Sequence, residues 1–326
     1  MLFLLGGSED SRVNGEPLQP IRGIWVQPRS ANTPEKADAM LERVVRGGFD
    51  TILFGVYPSD VYYRSTLLPR SPYVTSEYDP LAYVVEQGHR RGLKVHAWWS
   101  CGAAPQLKSF RNRYPGWDIA RLSEVPDDTH WLNFSMPEVR QFVGDVVLEI
   151  AQNYDVDGVH LDYIRYPSDP SHWRGVFGDD DVPATVESVY QRLKAVKPNV
   201  ELTAAVASSQ RGSVAHRQNW ADWLTGGYID RVFVMAYVDP DRTYARLDGE
   251  WTLALGVKEW QGLPYSERIV PGLKVLLGDR SGAKTPEEFM AQVEVCKAGG
   301  FDDIAVFDES AITVEILDAL AARSKK

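Results

Sequence analysis

Residues 155–167 read DVDGVHLDYIRYP, and this stretch indicates how the whole chain is built. It begins as a buried strand, because Val156, Val159 and Leu161 are apolar and Gly158 permits close packing. It ends in polar and aromatic side chains, which are His160, Asp162, Tyr163, Arg165 and Tyr166. In parallel α/β folds, ligands bind at the carboxyl ends of the strands. The stretch therefore predicts a strand that carries side chains to a functional site, with a structural Asp–Arg pair as the alternative.

Seven further apolar segments alternate with helical patterns along the chain. The predicted strands cover residues 22–27, 50–57, 93–100, 201–209, 230–237, 268–278 and 303–310. The sequence GGFD recurs before the second and eighth strands, and GGYID precedes the sixth. Eight strands, each followed by a helix, predict an α/β fold with a single (β/α)8 TIM barrel. The rival is a doubly wound open sheet, but the turn after the first strand, QPRSANTP, lacks the glycines typical of that fold.

The domain organisation follows from the same pattern. We predict that residues 1–21 form an N-terminal arm. After the apolar Met1–Leu5 segment, residues 6–20 are polar and rich in residues that favour turns. Residues 22–326 predict one catalytic barrel domain. The initial MLFLL lacks a basic region and is too short for the apolar core of a signal peptide, so we expect no complete signal peptide in it. No apolar run is long enough to predict a membrane span.

Composition narrows the choice of partners. The chain of 326 residues is 44% hydrophobic, carries a formal net charge of -10 and shows no cluster of Lys and Arg, which argues against nucleic acid as a partner. Its two cysteines, Cys101 and Cys296, are far apart, so neither a disulfide framework nor a cysteine-based metal site is predicted. No cofactor is expected, and the oligomeric state is left open.

Aromatic residues are concentrated in the predicted strand-to-helix loops. The long loop 101–135 and the loop after the second strand hold Phe110, Tyr114, Trp117, Trp131, Phe134, Tyr57, Tyr62, Tyr63 and Tyr73. Aromatic rings stack on the apolar faces of sugars, and their N–H and O–H groups meet sugar hydroxyls. The pattern favours a carbohydrate substrate, and the alternative is that these rings only cover the end of the barrel.

Several segments of the chain resemble a known family. They are RGIWVQ from Arg22, YDPLAYVVEQGHRRGLKVHAWW from Tyr78 and LNFSMPEVRQFVGDVVLEIAQNYDVDGVHLDYIRYP from Leu132, with weaker similarity in KPNVELTAAV from Lys197 and NWADWLTGGYIDRVFVMAY from Asn219. In these segments the sequence resembles the family-ten-like glycosyl hydrolases. The resemblance spans most of residues 22–237 and fades after Tyr237.

The resemblance implies a barrel that hydrolyses glycosidic bonds, with peptidoglycan or other amino-sugar polymers as substrates of some members. It also implies an exported or periplasmic protein, if sequence upstream of residue 1 is missing; the compartment itself is left open. One position departs from the family pattern. Many members carry two adjacent acids at the end of the fourth strand, whereas here Tyr163 follows Asp162.

Glycoside hydrolysis needs two carboxyl groups that flank the scissile bond. Asp162, at the end of the fourth strand, is the first candidate, and nearby Arg165 and His160 are expected to hold it ionised. Its partner is predicted to be Asp239 after the sixth strand or Glu309 after the eighth, with Asp308 ranked behind them. The separation of the two carboxyl groups decides between retention and inversion, and the sequence leaves it open.

Side chains at the other strand ends are predicted to bind the sugar. They are Gln27, Tyr57, His96, Trp98, Trp99, His160, Arg165, Tyr166 and Tyr237. Two other functions remain open at this point. A metal-dependent hydrolase would use His96, His160 and Asp162 as ligands, and a noncatalytic carbohydrate-binding barrel would use the aromatic rings alone.

Overall fold

A computed structural model describes residues 12–13, 16–17, 19–58, 60–122, 125, 129–167, 177–238, 244–246, 249–277 and 282–324. Within these residues the chain forms a closed barrel of eight parallel strands, as predicted. The strands are β1 (Arg22–Val26), β2 (Thr51–Gly55), β3 (Lys94–Ser100), β4 (Gly158–Asp162), β5 (Glu201–Val206), β6 (Arg231–Ala236), β7 (Ile269–Lys274) and β8 (Ile304–Phe307).

The barrel closes through pairing of β8 with β1, in which Ala305 lies opposite Gly23. Each strand otherwise pairs with its neighbour in sequence. The strands are buried along nearly their whole length, as expected for a parallel sheet covered by helices. Two short antiparallel ribbons lie outside the barrel, one formed by Arg12–Val13 with Glu16–Pro17 and the other by Tyr244–Arg246 with Gly249–Trp251.

Ten α-helices surround the barrel within the described residues. They are α1 (Pro34–Arg46), α2 (Pro80–Arg90), α3 (Lys108–Arg113), α4 (Pro137–Asn153), α5 (Asp181–Val196), α6 (Gln210–Ala215), α7 (Trp220–Gly226), α8 (Leu253–Gln261), α9 (Pro286–Ala298) and α10 (Val314–Ser324). None of these helices is both long and apolar enough to cross a lipid bilayer.

Local sequence explains where the helices begin. Thr33 caps α1 by accepting a hydrogen bond from the backbone N–H of Lys36, and Thr285 forms a capping box with Glu288 at α9. Ser135, just before α4, does not cap that helix. Its hydroxyl donates to Asn133 Oδ1 over 2.6 Å, and Met136 occupies the cap position without a side-chain hydrogen bond.

Large side chains fill the barrel interior. Trp25, Leu53, Trp98, Phe233 and Val270 form a buried cluster between the strands, together with Ile21 and Ala305. Below this layer Arg231 is only 1% exposed, and it pairs with Asp303 at 3.0 Å and Glu201 at 3.3 Å. The N-terminal end is thus closed by an ionic network, and the C-terminal ends of the strands form the open mouth.

Candidate active site

Asp162 is the last residue of β4 and lies at the C-terminal mouth of the barrel, 6% exposed. Its Oδ2 accepts a hydrogen bond from Trp98 Nε1 at 3.0 Å, and its Oδ1 accepts one from the backbone N–H of Tyr163 at 2.7 Å. Both carboxyl oxygens therefore face donors. Burial raises the pKa of Asp162, whereas Arg165 and the two N–H donors oppose the rise.

Arg165 is the cation of the site. Its Nη1 lies 3.6 Å from Asp162 Oδ1, and its side chain is 15% exposed. The guanidinium carbon lies 4.7 Å from the ring centroid of Tyr163 and 6.0 Å from that of Trp131. Two aromatic faces thus hold the charged group beside Asp162. Tyr163 itself has a φ of 56°, a conformation that is uncommon for residues other than glycine.

A second buried carboxyl group follows β8. Asp308 is 8% exposed, and its Oδ1 accepts hydrogen bonds from the hydroxyl and the backbone N–H of Ser310 at 2.5 and 3.0 Å. Its Oδ2 accepts a hydrogen bond from Gln27 Nε2 at 3.2 Å, and Gln27 Oε1 accepts one from the Tyr57 hydroxyl at 3.3 Å. The closed barrel makes the ends of β1, β2 and β8 adjacent, which is why these three residues meet.

An aromatic group lies between the two carboxyl groups. The ring of Phe307 contacts Tyr237, with centroids 5.2 Å apart, and Trp98, with centroids 6.2 Å apart. Burial raises the pKa of the Tyr237 phenol well above its ordinary value, and the charges of Asp162 and Asp308 both add to the rise. Since β4 and β8 are four strands apart in a ring of eight, Asp162 and Asp308 come from opposite sides of the barrel.

Glu309 points away from this group. It is 5% exposed, and its Oε1 accepts a hydrogen bond from Arg43 Nε in α1 at 2.8 Å. Arg43 also donates to the backbone carbonyls of Glu309 and Ile312. The equal ranking of Glu309 with Asp239 is therefore corrected, because its carboxylate joins the barrel to α1. Asp239 itself lies outside the described residues.

The two histidines of the sequence prediction lie inside the barrel, below its mouth. His160 is fully buried, and its ring nitrogens bond Trp25 Nε1 at 3.3 Å and Thr203 Oγ1 at 2.9 Å. Burial lowers the pKa of His160, so it does not supply the charge expected beside Asp162. His96, 1% exposed, lies against Gly158 at the other end of β4.

These positions argue against the metal-dependent alternative. Both ring nitrogens of His160 are already engaged in hydrogen bonds. His96 pairs with Gly158, two residue pairs below the Trp98–His160 pair in the register of β3 with β4. Among the residues that the structure describes, no three His, Cys, Asp or Glu side chains are grouped as metal ligands. The structure brings Asp162 together with Trp98 and Arg165 instead.

Two of the predicted sugar-binding aromatics also point elsewhere. Trp99 faces the helices, because side chains alternate along β3: its Nε1 donates to the Pro58 carbonyl at 3.1 Å, and its ring contacts Phe142 of α4. Tyr166 is 1% exposed and stacks on Phe177, with its hydroxyl 3.2 Å from Asp181 Oδ2. Both rings stabilise the packing around the barrel.

Most rings of the long loops are packing residues as well. Phe110 and Phe134 are fully buried, and Tyr114 stacks on Trp117 with centroids 4.4 Å apart. Within the described part of these two loops, Tyr73 is the one aromatic side chain that is largely exposed, at 62%. The mouth thus keeps Gln27, Tyr57, Trp98, Arg165 and Tyr237 of the predicted sugar-binding set.

The sequence is similar to a family model and to glycosyl hydrolases of two bacteria. Residues 20–175, which contain β1 to β4 and Asp162, match the model of the family "Glycosyl hydrolase-like 10". Glycosyl hydrolase DigH of Escherichia coli (strain K12) is 25% identical over 311 residues, covering 74% of this chain and 71% of that protein. Glycosyl hydrolase YngK of Bacillus subtilis (strain 168) is 26% identical over 293 residues, covering 72% of this chain and 56% of that protein.

Solved structures share the barrel at low sequence identity. An α-L-fucosidase isoenzyme 2 from Paenibacillus thiaminolyticus aligns with a TM-score of 0.65 at 14% identity, covering 94% of this chain and 49% of that one. The glycoside hydrolase domain of PgaB (BpsB) from Bordetella bronchiseptica aligns with a TM-score of 0.62 at 12% identity, covering 94% and 97%. The resemblance seen in the sequence is therefore confirmed: residues 20–175 of this TIM barrel match the glycosyl hydrolase-like 10 family model, and the chain is similar to the glycosyl hydrolases DigH and YngK.

Proposed function

We propose that the protein hydrolyses a poly- or oligosaccharide of amino sugars, such as a peptidoglycan-derived glycan, with Asp162 and Asp308 as its paired carboxyl groups. The observation that carries the proposal is the presence of these two buried carboxyl groups on opposite strands of one mouth, with an aromatic group between them. Two carboxyl groups that flank one bond are what glycoside hydrolysis requires. The amino-sugar class rests on the family resemblance.

The contacts of Asp162 suit the ionised partner of the pair. Burial raises the pKa of Asp162, but two N–H donors and a guanidinium face it, and all three stabilise its carboxylate against that rise. In this role Asp162 attacks the anomeric carbon or takes a proton from the attacking water. Trp98 and Tyr163 hold its orientation by hydrogen bonds, and Arg165 supplies the charge.

Asp308 is the other carboxyl group of the pair and takes the role of the acid. A hydroxyl group both donates and accepts, so Ser310 accommodates a protonated Asp308 as well as an ionised one. Asp308 gives its proton to the glycosidic oxygen as the bond between that oxygen and the anomeric carbon breaks. Gln27 and Tyr57 then serve to position Asp308. Trp98 and Tyr237 line the space in which the sugar ring lies.

The test uses the full chain and a panel of glycans, namely peptidoglycan glycan strands and N-acetylglucosamine oligomers, with products identified by mass spectrometry. Hydrolysis by the wild type that is lost in both Asp162→Asn and Asp308→Asn supports the pair. Full activity of Asp308→Asn would overturn its assignment as the acid. Sugar binding without hydrolysis by the wild type would show a noncatalytic carbohydrate-binding barrel instead.

A further inference from the structure

One exposed pair of side chains on the rim of the mouth is not used by the proposed chemistry. Arg29 follows β1 in the turn Pro28–Ala31, and Tyr73 lies in the loop between β2 and α2. The guanidinium carbon of Arg29 lies 5.1 Å from the ring centroid of Tyr73. One face of the ring is therefore covered by a cation, and the ring remains 62% exposed.

The loop holds Tyr73 in place. The backbone N–H of Ser71 donates to the Val61 carbonyl at 2.9 Å, and Arg70 donates to the carbonyl of Thr75 at 2.7 Å. Ser71 and Val74, on either side of the ring, are 3% and 8% exposed. The backbone that carries Tyr73 is thus anchored by hydrogen bonds and by buried neighbours in the sequence, which lowers the conformational entropy lost when a ligand binds on the ring.

The pair is continuous with the mouth. Arg29 lies in the turn Pro28–Ala31, two residues after Gln27 at the end of β1. Tyr57 in turn donates to Gln27, which donates to Asp308. A path of polar and aromatic groups therefore runs from the proposed acid, along the ends of β1 and β2, to the exposed ring of Tyr73.

We propose that Arg29 and Tyr73 form a distal sugar-binding subsite, which holds a sugar unit remote from the scissile bond of the same glycan chain. The exposed face of Tyr73 stacks on the apolar face of a sugar ring, while the cation–π contact with Arg29 on the other face holds the aromatic ring in place. This inference rests on the proposed function and extends it, because a subsite outside the mouth favours chains of several sugar units.

The test compares Tyr73→Ala with Tyr73→Phe on N-acetylglucosamine oligomers of two to six units. Loss of one aromatic stacking contact is expected to raise KM for the six-unit oligomer by about three- to tenfold. KM for the two-unit oligomer and kcat should not change. Tyr73→Phe keeps the ring and should behave as the wild type. Val196→Ala is the control, since Val196 is 47% exposed at the end of α5, on the opposite face of the barrel.

Titration of the same oligomers by calorimetry separates the two claims. Hydrolysis that is equally efficient in Tyr73→Ala and wild type at every length would overturn the subsite and leave the hydrolase. Binding that depends on Tyr73 without any hydrolysis would support the subsite and overturn the hydrolase. A wild type that neither binds nor hydrolyses the oligomers would overturn both.

Discussion

Gly158 at the start of β4 provides a stringent test of the barrel interior. A Cβ built on Gly158 would lie 2.5 Å from His96 Nδ1, 2.6 Å from Cε1 and 2.7 Å from Cγ. Such contacts are far inside van der Waals distance, and His96 is 1% exposed within paired strands, so its ring has little room to move. Forcing extra volume into a packed interior costs about 1–3 kcal/mol. We expect Gly158→Ala to fall in the upper part of this range.

The assay is thermal and urea unfolding followed by circular dichroism. At this cost the melting temperature should fall by several degrees. Gly282→Ala is the matched control, because no atom lies within 4 Å of a Cβ at Gly282. Its stability should be unchanged or slightly higher. The double variant Gly158→Ala/His96→Ala should recover part of the loss, since the clash is removed. A Gly158→Ala protein as stable as the wild type would refute this description of the interior.

Three further predictions concern the site and its surroundings. Arg165→Met removes the positive charge that opposes the effect of burial, so the pKa of Asp162 should rise further. The acid limb of the pH profile of kcat/KM should therefore move to higher pH. Arg46→Met changes a surface arginine and should leave that limb in place. Glu309→Gln should keep kcat within about twofold of the wild type, because Glu309 bonds Arg43 outside the mouth. A loss of about a hundredfold in kcat would instead show that Glu309 is one of the two catalytic carboxyl groups. Arg43→Met should lower the free energy of unfolding by about 1–3 kcal/mol in urea titrations, since it leaves the buried Glu309 carboxylate unpaired.

The barrel could be predicted because its determinants are local. Each strand is a short apolar run, several helices begin at a recognisable cap such as Thr33 or Thr285, and the sequences GGFD and GGYID recur at the same place in the repeat. The alternation of side chains also explains why Trp98 and Asp162 share the interior face.

The depth of each side chain could not be predicted in the same way. His160 shares a face with Asp162, yet it lies one layer lower, where Trp25 and Phe233 enclose its ring. Glu309 was ranked above Asp308, and the sequence did not show that its carboxylate pairs with Arg43, which is 266 residues away. Contacts between distant elements decide which of two adjacent acids faces the mouth, and one chain's sequence does not display them.

The central claim is that Asp162 and Asp308 act as a carboxyl pair, and the most direct measurement is kcat/KM of Asp162→Asn on the glycan that the wild type cleaves. Circular dichroism should show an unchanged fold. Loss of acid–base assistance alone typically costs 10²–10⁴-fold, and loss of a nucleophile costs more. We therefore expect a fall of at least about a hundredfold. A fall smaller than about tenfold would mean that Asp162 only pairs with Arg165 as a structural group, and it would contradict the account.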